Sequence, residues 1–169
     1  MAEIGIKIKP LTTPEIVKVS NLNEYTLCIF DIETTTLFTF CEIIQISAIR
    51  YDRIESPLDV YILPNGKIPH NHVTGISKQR ENLYDQNLER IPSVRAREGL
   101  ERFLRWMESF EKKVVLIAHN AKQFDVKHLL RTMEKHSKLE NFERVVAGFV
   151  DTLPLFNPIR SGGWRIPPP

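Results

Sequence analysis

An α/β fold with a mixed sheet is predicted for this chain by three observations. Strand-length apolar runs open the foldable part as a group of three. Two helical stripes then alternate with two further apolar runs. The resulting order of three strands, helix, strand, helix, strand suits an antiparallel start followed by parallel crossovers.

Tyr25 to Phe30 (YTLCIF) is apolar at both parities, which predicts a central strand covered on both faces. Glu42 to Tyr51 reads as the second strand and Leu58 to Leu63 as the third, stopped by Pro64 and the Asn65-Gly66 turn. Leu100, Phe103, Leu104 and Met107 recur at helical spacing, so a helix is expected over roughly 94–110, with Ser93 as its N-cap. Val114 to Ala118 (VVLIA) is a short apolar strand. Val126, Leu129, Leu130 and Met133 form the stripe of a second helix, and Val145 to Val150 a last strand ending at Asp151. Residues 1–23 carry Pro10 and Pro14 without periodicity and read as a leader; 24–156 is the folded domain. Residues 157–169, with Gly162-Gly163 and three closing prolines, are expected to be a disordered tail in which Trp164 has no burial site.

A chain of 169 residues is ample for one core, and a net charge of +2 argues against an obligate nucleic-acid coat without excluding an enzyme that touches a few phosphates. Cys28 and Cys41 have no metal-ligand spacing; buried free thiols in a reducing compartment fit better than a disulfide. The first ten residues lack a signal-peptide core and no run is long enough to span a bilayer. A cytosolic or nuclear protein without a membrane partner is therefore expected.

Asp31 and Glu33 stand two residues apart where the first strand turns polar, so their side chains share one face. Carboxylates held this close raise each other's pKa unless a cation joins them, and hard oxygen donors suit magnesium or manganese. Asp125 falls in the first turn of the second helix, where the dipole favours its ionised form. In α/β sheets, sites gather beyond the carboxyl ends of the strands, so Asp31, Glu33 and Asp125 are expected to converge. Each feature has an ordinary alternative: Asp-x-Glu is common in turns, and an Asp at a helix start is usually just a favourable charge.

FDIETTTL (Phe30 to Leu37) resembles the first block of the DEDD 3′–5′ exonucleases, and AHNAKQFD (Ala118 to Asp125) resembles the second. HVTGIS (His72 to Ser77) is similar to the segment those enzymes place between them. EIIQISAI (Glu42 to Ile49) and FVDTLPLF (Phe149 to Phe156) resemble their second strand and the strand before the third block. The likeness is to the histidine branch, which includes the three-prime repair exonucleases. Glu140 to Phe156 also resembles the exonuclease-like domain of a promyelocytic leukaemia protein isoform.

This resemblance implies an RNase H-like mixed sheet flanked by helices, incomplete at the C-terminus. It implies 3′–5′ hydrolysis of single-stranded DNA or RNA by two Mg2+ or Mn2+ ions, held by Asp31, Glu33 and Asp125. Thr34 and Leu37 would bound the terminal nucleotide, Val73 to Ile76 would form another wall with Ile76 against the base, and Phe124 would either stack or pack under its helix. The partner would be a nucleic-acid 3′ end, and a homodimer is compatible with the family. The third block, His-x-x-x-x-Asp or Tyr-x-x-x-Asp, does not occur at any His or Tyr of the sequence. Asp151 is read as a cap for the next helix, and Thr36 replaces a frequent family Gly. Two expectations follow: apolar surface left open on one face of the sheet, and activity far below that of an intact relative. The alternative function is a catalytically inactive module that binds nucleic acid or protein.

Overall fold

The structure is a computed structural model and describes residues 21–37, 40–69 and 73–154. The leader before residue 21, the tail and Trp164 lie outside the described residues. A short 3-10 turn, Leu22–Glu24, enters β1, Thr26–Thr34. β2 (Ile43–Arg50) and β3 (Arg53–Ile62) follow as antiparallel neighbours. β4 (Ser77–Gln79), β5 (Asn82–Tyr84) and β6 (Arg90–Ile91) make a separate three-stranded sheet. Then come β7 (Ser93–Val94), α1 (Ala96–Glu108), β8 (Val114–Ala118), α2 (Asp125–Lys135), α3 (Leu139–Val145) and β9 (Val146–Asp151).

The main sheet has the order β7-β3-β2-β1-β8-β9, with β8 and β9 parallel to β1. The antiparallel start and parallel finish read from the sequence are therefore present. β1 departs from the expected double cover. Cys28, Phe30 and Ile32 are buried, but Ile29 between them is 47% exposed. The reason is one-sided packing among the described residues: buried residues of α1, α2 and α3 all join the core that contains Cys28, Phe30 and Ile32. Ile29, paired with Ile49 and Ile117, lies on the other face.

α1 begins at Ala96, not Val94. Ser93 does not cap it, because Ser93 and Val94 pair with Tyr61 and Ile62 as a strand, and Arg95 takes the cap position without a side-chain hydrogen bond to the helix. The amphipathic stripe is as predicted, with Leu100, Phe103, Leu104 and Met107 buried. Gly99 allows α1 to approach β3: an added Cβ would lie 2.7 Å from Ile62 Cγ1. A second core of Ile44, Leu63, Ile68, Ile76 and Leu83 joins the small sheet to the end of the large one. Lys78 Nζ secures the intervening turn by donating to the carbonyls of Pro64, Asn65 and Gly66. Both cysteines are free thiols, Cys28 buried and Cys41 half-buried. Among the described residues no helix is long and apolar enough to cross a membrane.

Candidate nucleic-acid site

β1 extends through Asp31 and Glu33 because β2 accompanies it to the Thr34–Ile43 pair. The carboxylates thus belong to the strand itself. Its pleat sends them to the face opposite Phe30 and Ile32, with Asp31 exposed and Glu33 half-buried. β8 pairs with β1 only as far as Ile29–Ile117, so β1 outruns its parallel neighbour. The Ile32 N–H lies beyond that last pair. Asp125, only 4% exposed in the first turn of α2, fills the gap: its Oδ1 accepts from Ile32 N at 3.3 Å. A buried N–H without such an acceptor would be costly.

Between β8 and α2 the chain turns through Asn120, whose φ of 58° is in the left-handed region that Asn tolerates. Asp151 at the end of β9 accepts from Lys122 N at 3.0 Å and Leu153 N at 2.9 Å, which agrees with the capping role read from the sequence. His119 Nδ1 lies 3.2 Å from Thr152 Oγ1, tying the β8 and β9 ends together. The carboxyl ends of β1, β8 and β9 therefore lie together at one end of the main sheet, and the space beyond them is the candidate crevice.

Its electrostatics are acidic. Burial pushes the Asp125 carboxyl up to about 6, and the charges of Asp31 and Asp151 push the same way against the Ile32 N–H bond. Burial against the sheet also raises Asp31, an effect limited by its exposure to solvent. Asp125 thus lies beside the strand that carries Asp31 and Glu33. The donor chemistry suits a hard divalent cation, but among the described residues no three His, Cys, Asp or Glu side chains gather around one point. β1 aims Asp31 and Glu33 to one face, while α2 packs on the other and turns Asp125 to the backbone. As placed, these residues do not fit a metal centre.

The other candidate residues divide in two. Thr34 is buried, and its hydroxyl donates to Thr36 O at 2.7 Å, closing the loop after β1. Leu37, beyond that loop, is 77% exposed. Ile76 is 6% exposed within the second core, so Val73, at 86%, is the apolar side chain its segment presents. Phe124 packs against the main core and against the His128 ring, with centroids 4.6 Å apart. Sequence reading missed the neighbouring contact of Cys41 Sγ with His128 Nδ1 at 3.2 Å. Its signal was a His at 128 on the buried stripe of α2, adjacent to Leu129.

A protein-family model, the Exuperantia RNAse H-like domain, matches residues 25–160. The chain belongs to this family. Its fold is similar to that of solved exonucleases: an apo Exonuclease I structure superposes with a TM-score of 0.63 at 17% identity, over 85% of this chain and 33% of that one. A product-bound exonuclease I gives 0.64 at 17% identity, over 86% and 35%. Exonuclease I from Methylocaldum szegediense gives 0.62 at 18%, over 85% and 32%. The chain thus spans about a third of the length of these neighbours. No curated protein matches it in sequence. An α/β fold of RNase H-like architecture is what these likenesses establish.

Proposed function

We propose that this Exuperantia-type domain binds 3′ ends of single-stranded nucleic acid in the crevice and holds them without turnover at enzyme rates. The observation that carries the reading is that the carboxyl ends of β1, β8 and β9 lie together at one end of the main sheet, with the acidic pair on β1, the place where α/β sheets gather their sites. Leu37 and Val73 are exposed apolar side chains, a kind that suits an unstacked base. The fold supports the same ligand, because E. coli Exonuclease I has been crystallised with a dT13 oligonucleotide. Low turnover is supported by the donor geometry: Asp125 accepts from Ile32 N, and among the described residues three ligands do not gather.

A second reading, a metal-dependent 3′–5′ exonuclease using Mg2+ or Mn2+ at Asp31, Glu33 and Asp125, is favoured by one observation. Asp31 lies close enough to Asp125 to raise its pKa, a repulsion a cation would relieve. That reading requires the carboxylates to regroup.

Labelled single-stranded DNA and RNA oligonucleotides separate the two. Anisotropy should show binding that weakens when the 3′ end is blocked, and gels with Mg2+ or Mn2+ should show full-length strand. Stepwise shortening that disappears in Asp31→Asn would replace the binding reading with the enzyme. Absence of binding to either strand would end both.

A further inference from the structure

The fold holds a thiol against an imidazole at a place the proposed binding does not use. Cys41 stands just before β2, and its neighbour Glu42 is tied to the end of β1. Thr35 N donates to Glu42 O at 2.8 Å, and Glu42 N donates to Thr35 Oγ1 at 3.1 Å. His128 is 8% exposed on α2, with its ring against Phe124. The two fixed residues bring Cys41 Sγ to 3.2 Å from His128 Nδ1.

Cys41 is only half-buried, and it helps to line a cavity of about 500 Å3 beside the C-terminal half of α2. Arg131 and Lys135 bring two cationic side chains to that cavity. Glu42 is the one acid among its described lining residues, and its carboxylate already accepts from Asn65 N, Asn65 Nδ2 and Gly66 N. The cavity therefore favours an anion. Burial raises the Cys41 thiol, while the charge of Arg131 works the other way. Burial lowers His128, and Arg131 and Lys127 add to that. The thiol thus rests protonated beside a neutral ring that can take its proton when a bond forms at sulfur.

We propose that Cys41 is a nucleophilic modification site for small electrophiles that carry an anionic group, with His128 as its base and Arg131 and Lys135 as the attracting charges. Sγ attacks the electrophilic carbon, the leaving group departs with its bonding pair, and the thiol proton passes to His128 Nδ1. Iodoacetate is the anionic probe and iodoacetamide its neutral counterpart; with either, an S–C bond replaces the C–I bond and iodide leaves. The chain has two cysteines, so the other serves as an internal control. Cys28 is 0% exposed and its thiol is pushed up to about 12, chiefly by burial, so it should stay unlabelled in the folded chain. Rates at both positions are measured on the full chain at pH 7 by peptide mass spectrometry, with N-acetylcysteine as the reference thiol. Relative to that reference, Cys41 should favour iodoacetate over iodoacetamide by about fivefold. Lys135→Glu should cut this preference by about threefold or more. His128→Gln should slow both reagents by about tenfold or more, with circular dichroism reporting a retained fold. A parent preference no greater than that of the reference would overturn the site, and so would unchanged rates in folded His128→Gln. Should that variant fail to fold, the parent preference and its response to Lys135→Glu still decide.

Discussion

Replacing Asp125 with asparagine should stabilise the metal-free protein at pH 8 and leave it little changed near pH 4. Asparagine keeps an Oδ1 to accept the Ile32 N–H but carries no charge into a site that is 4% exposed. The folded carboxyl has a pKa raised from 3.8 to about 6, first by burial and then by Asp31 and Asp151. An acid with a raised folded pKa binds its proton more tightly in the native state. Native stability therefore falls as pH climbs between those two values and levels off above them. At full weight that rise corresponds to about 3 kcal/mol, and solvent at the crevice mouth reduces it to about 1–2 kcal/mol. For a domain of this size the variant's Tm at pH 8 should exceed the parent's by about 3–6 °C. Thermal unfolding by circular dichroism in chelator, at pH 4, 6 and 8, measures this directly. A variant less stable than the parent at pH 8 would refute the reasoning, because it would mean the ionised carboxylate is needed at Ile32.

Two further predictions concern the frame around the site. Glu42→Gln should cost about 1 kcal/mol at pH 7 by weakening charge-assisted bonds from Asn65 and Gly66. Burial would raise the Glu42 carboxyl, but these donors outweigh it and hold the pKa low, so the stabilisation exists above the ordinary value and disappears as pH falls through the folded one. Denaturant midpoints that differ as much at pH 3 as at pH 7 would contradict this. Gly99→Ala should lower the unfolding free energy by about 1 kcal/mol in net terms, because the 2.7 Å approach to Ile62 Cγ1 outweighs the helix propensity gained; an unchanged or higher urea midpoint would show that Ile62 yields freely.

Those parts of the fold that rest on a strong period were legible. β1, β2, β8 and α2 each bury several apolar side chains in one core, and their sequence runs show it. Other elements hold together through partners the sequence does not display. β4 and β5 are three residues each, Ser77–Gln79 and Asn82–Tyr84, with only Leu83 fully buried between them. α3 has one buried residue, Phe142, too few to set a period. Ser93 carried a cap signal, yet backbone pairing with Tyr61 took that stretch into the sheet. Ile29 and Ile117 read as interior because both parities of their strands are apolar, but which face receives the helices is a property of the whole topology.

The site follows the same division. Alternation along β1 tells that Asp31 and Glu33 share a face, and position after β8 tells that Asp125 is nearby. Whether nearby acids form a metal centre depends on a different quantity, the supply of backbone donors around them. β8 stops pairing at Ile29 while β1 continues, which leaves the Ile32 N–H to be satisfied from outside the ladder. Asp125 meets that need, and Asp151 does the same for Lys122 and Leu153. A carboxylate that accepts from backbone N–H groups retains lone pairs for a cation but loses freedom to move towards one. The carboxylates most strongly fixed by the fold are therefore the ones least able to assemble around an ion.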